Sequence, residues 1–336
     1  MTTETKFTLA EGTATGVGSM PGGDARESSR VAAEAVGSLP FLPELPARGP
    51  GADMIGRTLG MLVEMYARVE PSGWRFGDRP GRDTQRARSW LGEDLDALEE
   101  FTQGYEGPLK VQAVGPWTLA ASVELRNGEA ALRDPGARRD LASSLTEGIG
   151  AHLADVARRV PGAQVVLQLD EPSLTAVLRG HVRTASGYRT YRAVDRADVE
   201  SALRDLIRAA GVPVVVHSCA EDVPFALLRG AGVAGISFDF ALLTERDWDE
   251  FGEAAESGTA LFAGVVPGKD APLSDPAGSV SGVRALWRRL GLAPGALGSS
   301  VAVTPSCGLA GASPAYARAA LVHCAKAARS LVDNPE

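Results

Sequence analysis

The sequence is poor in cysteine and lysine, and it lacks any long apolar run. Its 336 residues include only three cysteines, too few for a disulfide framework, so we expect a protein of the reducing cytoplasm. No run of 18 apolar residues occurs and the first residues do not resemble a secretory signal, so we expect no membrane-spanning segment and no export. The net charge of −8, with only four lysines among 34 basic residues, argues against a nucleic-acid partner.

Eight short apolar runs recur along the chain, separated by stretches with helical spacing. Several runs are continuous rather than alternating, which is typical of strands buried on both faces of a parallel sheet. The predicted strands are Thr15–Met20, Phe41–Leu45, Val111–Pro116, Gln164–Glu171, Pro213–Cys219, Gly235–Phe240, Ala260–Pro267 and Val301–Cys307. The predicted helices are Asp24–Val36, Asp134–Val160, Ala197–Ala210, Glu221–Arg229, Glu245–Glu256, Ala277–Leu290 and Ser313–Leu331.

This alternation predicts an α/β fold, a single (β/α)8 TIM barrel with long decorated loops over residues 1–336. A doubly wound open sheet is the alternative, and the lack of a GxGxxG turn after the first strand weighs weakly against it. The segments Pro43–Arg57 and Gly73–Arg86, rich in Gly, Pro and Arg, are predicted to be long loops, as is Gly180–Arg196. Residues 1–12 are predicted to form a flexible tail.

Residues with metal-binding side chains end several of these strands, and a parallel barrel places its active site at the carboxyl ends. His217 and Cys219 are one residue apart in a strand, so their side chains point to the same side. Cys307 ends the eighth strand. Asp239 ends the sixth strand, which is adjacent to the fifth strand with His217 and Cys219, and it completes a four-ligand set suited to zinc. The spacing also fits unrelated buried cysteines and a core histidine.

Two adjacent carboxyl groups, Asp170 and Glu171, end the fourth strand directly before Pro172. Adjacent strand residues point to opposite sides, so we expect only one of them at the barrel mouth. A carboxylate there can hold a substrate ammonium or act as a base. A helix cap is the alternative role for such a residue. Ser19 ends the first strand, and Trp117 is the only tryptophan at a strand end.

These residues together resemble the C-terminal catalytic barrel of cobalamin-independent methionine synthase. The resemblance runs from the first strand to Cys307, and Gly115–Leu119 is also similar to the related uroporphyrinogen decarboxylases. The matching elements are Gly18-Ser19-Met20-Pro21, Asp170-Glu171-Pro172, His217-x-Cys219, Cys307-Gly308-Leu309 and Asp239, which stands where the family has a zinc-binding Glu.

The resemblance implies a zinc-dependent transfer of a methyl group to the thiol of homocysteine, which forms methionine. It implies a Zn2+ ion bound by His217, Cys219, Asp239 and Cys307. Zinc suits this reaction because it deprotonates a bound substrate thiol and leaves the sulfur nucleophilic. We expect Ser19, Asp170, Glu171 and Trp117 to bind the substrate, and no residue is assigned as a general acid or base. The expected partners are a small thiol and a methyl donor, either methylfolate or a corrinoid protein.

The sequence departs from the family in two places. The family's homocysteine-binding Glu after the second strand has no counterpart in Ala47–Met54, and its His after the seventh strand is absent, with Lys269 near that place. These departures leave other reactions open: alkyl transfer to another thiol or from a corrinoid donor, a decarboxylase of the uroporphyrinogen type, or a degenerate barrel that binds a metabolite.

Overall fold

The computed structural model describes residues 7–336 and shows an α/β fold. Within that range the strands are β1 (Tyr66–Glu70), β2 (Gly73–Gly77), β3 (Gly107–Val114), β4 (Val123–Glu124), β5 (Ala163–Asp170), β6 (Val214–Ser218), β7 (Gly235–Asp239), β8 (Ala260–Val266) and β9 (Val301–Pro305). Six of them form one curled parallel sheet in the order β3-β5-β6-β7-β8-β9. Their continuous burial agrees with the apolar runs from which they were predicted.

Helices separate these strands and cover the outside of the sheet. They are α1 (Ala25–Ala35), α2 (Met54–Met61), α3 (Arg82–Phe101), α4 (Pro116–Ser122), α5 (Pro135–Arg159), α6 (Leu174–Arg179), α7 (Arg196–Ala210), α8 (Phe225–Ala231), α9 (Trp248–Glu256), α10 (Pro276–Ser279), α11 (Ser281–Arg289), α12 (Leu297–Ser300) and α13 (Pro314–Asp333). Asp24 and Asp134 cap α1 and α5, where the sequence predicts that these helices begin. None of the helices in residues 7–336 is long and apolar enough to cross a membrane.

The parallel register brings the strand ends that carry polar side chains to one edge of the sheet. Asp170 of β5 pairs with His217 of β6, and His217 pairs in turn with Ser237 of β7. Because neighbouring parallel strands point the same way, these side chains lie in a row at the carboxyl edge. The cysteine that follows β9 reaches the same edge from the last strand of the sheet.

Two predicted strands, Thr15–Met20 and Phe41–Leu45, do not form continuous strands. Each makes only isolated parallel bridges, which are Ala14 to Val303, Ser19 to Glu44, and Phe41 to Lys110. Pro40 and Pro43 have no N–H group to donate, which limits ladder formation in the second segment. The two segments nevertheless lie between β9 and β3, the edge strands of the sheet. The first segment bridges to β9, the two segments bridge to each other, and the second bridges to β3.

The prediction of a long loop over Pro43–Arg57 is wrong only at its end, and that over Gly73–Arg86 is wrong for most of its length. The first contains the start of α2, which is capped by the Asp53 side chain accepting from Gly56 N at 2.6 Å. The second contains β2, which pairs antiparallel with β1, and the start of α3. Gly56 serves close packing rather than a turn, since a Cβ atom there would lie 1.9 Å from the Pro50 carbonyl oxygen.

The predicted flexible tail, residues 1–12, is described only in part. Residues 1–6 lie outside the described residues. Leu9 is buried and packs in a small apolar cluster against interior side chains of the sheet, so this part of the segment is not a free tail. The other members of the cluster are Leu39, Val166, Val215, Ala260, Phe262 and Ala302. The predicted loop Gly180–Arg196 is largely irregular, with one antiparallel bridge between Arg183 and Thr190.

Candidate metal and substrate site

One imidazole and two thiols meet at the carboxyl edge of the sheet. The ligand atoms of His217, Cys219 and Cys307 all lie within 4.8 Å of one another. The two sulfur atoms are 3.3 Å apart, although they come from the end of β6 and from the turn after β9. His217 is buried, Cys219 is half-buried and Cys307 is exposed, so the cluster opens toward solvent on one side. The structure therefore brings together three of the four predicted zinc ligands.

The two nitrogen atoms of His217 have different surroundings. Nδ1 lies 2.8 Å from Oγ of Ser237 on the neighbouring strand. Nε2 is fully buried and has no hydrogen-bond partner among the described residues. A buried polar atom without a partner is costly, so Nε2 requires a ligand. Nε2 and two adjacent sulfur atoms form a donor set that fits zinc.

The two thiols ionise unequally. The hydrogen bond between them, together with His217, holds the pKa of Cys307 well below its usual range. The same hydrogen bond, followed by burial, raises the pKa of Cys219. Negative charge therefore concentrates on Cys307, the more exposed of the two, and a thiolate is the form of cysteine that binds metals.

Asp239, the predicted fourth ligand, lies at the end of β7 but outside the three-residue cluster. Its Oδ1 accepts a hydrogen bond from Ala241 N at 3.0 Å. Burial raises the pKa of the carboxyl, the Ala241 hydrogen bond lowers it, and the charge of Cys307 raises it further. Asp239 thus shares the electrostatic environment of the cluster while its Oδ1 caps the following turn.

Asp170 is buried beside the cluster and faces the interior. Its Oδ1 accepts from Gln168 Nε2 at 2.7 Å, and burial raises the pKa of its carboxyl. Interactions with His217 and Lys110 and the hydrogen bond from Gln168 oppose that rise. Asp170 thus lies beside His217 at the carboxyl edge of the sheet, and its contact with a substrate stays a prediction.

A second buried carboxyl group, Glu44, was missed by the sequence analysis. Its backbone bridges Ser19, and its side chain is only 4% exposed. Burial raises the pKa of Glu44 to about 7; the charge of Arg57 opposes this and that of Asp170 adds to it. A Glu inside a predicted strand with apolar neighbours was the signal in the sequence for this buried carboxyl group.

The buried amine of Lys110 interacts with both Glu44 and Asp170. Its Nζ donates to the Val17 carbonyl oxygen at 2.9 Å, and burial lowers the pKa of the amine to about 8, against the attraction of both carboxylates. The buried guanidinium of Arg57 also acts on Glu44. Burial disfavours the ionised form of both carboxyl groups, and a ligand that brings an ammonium group would favour it.

Ser19 lies against the loop that carries Cys307. Leu309 N donates to the Ser19 carbonyl oxygen at 2.8 Å. A Cβ atom at position 308 would lie 2.0 Å from Ser19 Oγ, so the hydroxyl group could not keep its place beside a larger residue. The Gly-Ser and Cys-Gly-Leu elements found in the sequence are therefore in direct contact.

Glu171 and Trp117 are placed differently from Ser19 and Asp170. Glu171 is fully buried, and its carboxylate accepts from Trp117 N at 2.9 Å and from Thr118 N and Oγ1 at 2.7 Å each. It therefore caps α4, the alternative role considered for this pair of residues. The Trp117 ring is buried under a groove between α5 and α7, where Arg138 stacks 5.9 Å from its centroid. Neither side chain joins the groups around Cys307.

Lys269 is exposed at the rim next to the cysteine loop. The preceding Gly268 packs against the carbonyl oxygens of Gly308 and Cys307. The following Asp270 accepts from Ser313 N at 2.7 Å, which fixes the loop at the start of α13. The place where the family has a histidine is thus close to the cluster, but in this chain it carries the amine of Lys269 on an exposed loop.

Fold and site together define an α/β protein with a His-Cys-Cys cluster at the carboxyl edge of its sheet. The family model described as "Cobalamin-independent synthase, Catalytic domain" matches residues 12–330, and the chain belongs to this family.

A solved structure with a similar fold is a B12-independent methionine synthase from Shewanella sp. W3-18-1 in complex with selenomethionine. The TM-score is 0.63, the sequence identity is 11%, and the alignment covers 95% of this chain and 97% of that chain. At this identity the likeness shows the fold alone. No curated protein matches this chain by sequence.

Proposed function

We propose that the protein is a zinc-dependent methyltransferase that transfers a methyl group to the thiol of homocysteine and forms methionine. The cluster of His217, Cys219 and Cys307 beside buried carboxyl groups is the observation that carries this proposal. Membership of the cobalamin-independent synthase family supports it. We also propose that the chain is one barrel domain in which the two bridging segments complete an eight-stranded ring.

The proposed zinc ligands are Nε2 of His217, the sulfur atoms of Cys219 and Cys307, and a carboxylate oxygen of Asp239. Zinc, when bound there, would lower the pKa of a substrate thiol enough for it to ionise at neutral pH. The protein's part is to hold these ligands at the strand ends and to keep the histidine nitrogen away from water.

The amino group of the substrate is proposed to bind between Asp170 and Glu44. Both carboxyl groups are buried and interact with each other and with Lys110, and Glu44 also interacts with Arg57. An ammonium group would stabilise the ionised form of both carboxyl groups, which burial disfavours. Ser19, in contact with Gly308, stands between these carboxyl groups and the cysteine loop and is proposed to line the same site. Glu171 has a positioning role through α4 in this proposal.

The methyl donor is proposed to be more activated than methylfolate, for example a corrinoid-bound methyl group. The family's histidine after the seventh predicted strand is absent, and the loop there offers the exposed Lys269. An ammonium group gives up its proton less readily than an imidazolium, so this loop is poorly suited to protonating a folate nitrogen.

One experiment tests the proposed reaction directly. The purified protein is analysed for zinc and then given homocysteine with methylfolate or with methylcobalamin in parallel assays. Stoichiometric zinc and methionine formation from at least one donor are expected. Full zinc occupancy without methionine from either donor would contradict the proposed reaction and leave a metal-binding barrel; a zinc-free, inactive protein would contradict both the metal and the reaction.

A further inference from the structure

His217 makes one side-chain contact that decides which of its nitrogen atoms is available. Ser237 lies directly opposite His217 in the parallel pairing of β6 and β7. Its Oγ is 2.8 Å from Nδ1, and both side chains are buried. The Cys307 sulfur of the cluster also interacts with the ring, while Nε2 has no hydrogen bond of ordinary geometry within the described residues.

A neutral imidazole carries its proton on one nitrogen and a lone pair on the other. When Oγ of Ser237 accepts the proton of Nδ1, the lone pair belongs to Nε2, the atom that has no partner among the described residues. A hydrogen bond at one ring nitrogen also fixes the rotation of the ring about its Cβ–Cγ bond. A hydroxyl can donate or accept, and with a metal ion on Nε2 the ring proton belongs on Nδ1, where Oγ of Ser237 accepts it and sets the direction of the Nε2 lone pair.

The hydroxyl group of Ser218 does not share this arrangement. Ser218 Oγ, next to His217 on the same strand, is fully buried but has no hydrogen-bond partner among the described residues. Successive side chains of a strand point to opposite faces, so Ser218 faces away from the cluster. It offers a matched control of the same residue type.

We infer that Ser237 is a positioning residue for the metal centre. Its side chain holds His217 in the Nδ1–H tautomer, so that Nε2 points at the ion. The inference rests on the proposed zinc site. Ser237 acts through the histidine that it contacts, so it is not assigned a contact with the substrate.

The test measures zinc affinity by competition with a chromophoric chelator, independently of methyl transfer. Ser237→Ala is expected to weaken zinc binding by about 10–100-fold, the usual effect of losing such a hydrogen bond. Ser218→Ala is expected to bind zinc as the wild type does, and Ser237→Thr, which keeps the hydroxyl, to recover most of the affinity. Equal affinities for the wild type and Ser237→Ala would overturn the inference while leaving the zinc site intact.

A spectroscopic readout separates positioning from a general loss of packing. With 15N-labelled histidine, the zinc-loaded wild type is expected to show a protonated Nδ1 and a metal-shifted Nε2 for His217. Ligation through Nδ1 would overturn the inference. In Ser237→Ala the Nδ1 proton is expected to exchange faster with solvent, at an unchanged melting temperature. A wild type that binds no zinc would overturn the proposed function and this inference with it.

Discussion

The three cysteines stand in different surroundings, and this difference gives a direct test of the metal centre. Cys219 and Cys307 meet at the carboxyl edge, whereas Cys324 is fully buried in α13. We expect Cys219→Ser and Cys307→Ser each to lose most of the bound zinc, because a hydroxyl is a much weaker zinc ligand than a thiolate. Metal analysis of the purified variants measures this. Cys324→Ala is the control and should keep its zinc; undiminished zinc in both ligand variants would refute the site.

The carboxyl group of Glu44 predicts a pH dependence of amino-acid binding. Its pKa of about 7, raised by burial, means that it is largely protonated below pH 7 and ionised above. An ammonium group binds the ionised form, so the affinity for methionine, a probe without a free thiol, should rise as the pH increases through about 7. Glu44→Gln should flatten that rise in calorimetric titrations. An equal rise in affinity for the wild type and for Glu44→Gln would show that a group other than Glu44 causes the pH dependence.

At the residue level, the sequence allowed the cluster of His217, Cys219 and Cys307 to be predicted but not all of the buried carboxyl groups beside it. His217, Cys219 and Cys307 were identified because the ends of parallel strands share one edge, whatever the details of packing. Glu44 was missed because its segment forms only isolated bridges, so its side-chain direction could not be deduced from a regular strand. The cap made by Glu171 depends on how β5 and α4 pack together, which residue spacing does not reveal.

Among the secondary-structure elements, α4 depends on a carboxylate from another part of the chain. Glu171 supplies the acceptor for two N–H groups and one hydroxyl at the start of this short helix. Glu171→Gln should lower the free energy of unfolding by about 1–3 kcal/mol, because buried donors lose their acceptor. Urea unfolding measures the change, with the exposed Glu106→Gln as the control. Equal stability of the two variants would mean that the helix start has another partner.

The loop after β8 carries the prediction about the methyl donor. A positioned general acid contributes roughly 10²–10⁴-fold to rate, and no histidine stands in this loop. We therefore expect turnover with methylfolate to be at least about 100-fold slower than with methylcobalamin. Lys269→Ala should change the methylfolate rate no more than Lys326→Ala, an exposed lysine on α13. Fast methylfolate turnover that survives Lys269→Ala would show that a different group supplies the proton.

The elements themselves were predictable to different degrees. The six strands of the sheet were predicted because short, continuous, β-branched apolar runs favour buried strands over helices. The start of α2 and the strand β2 were taken for loops, since Gly and Pro usually mark turns. Gly56 is present for another reason, the close approach of Pro50, and only the packed structure shows that.

For the whole molecule, the large hydrophobic cluster predicts a single cooperative unit. It includes side chains from α1 near the start of the chain and from α13 at its end. We expect urea unfolding followed by tryptophan fluorescence and by far-ultraviolet circular dichroism to give coincident transitions. Two separated transitions would show that the chain contains independently unfolding parts and would refute the single domain.

The contact between Ser19 and Gly308 has a consequence for the order of folding. It joins the beginning of the chain to its last strand, and it lies beside Cys307. Contacts between residues so distant in sequence form slowly, because a long loop must close before they are made. A growing chain in which the residues after β9 have not yet been made has neither Cys307 nor this contact, so the proposed zinc site cannot be complete before that point in synthesis.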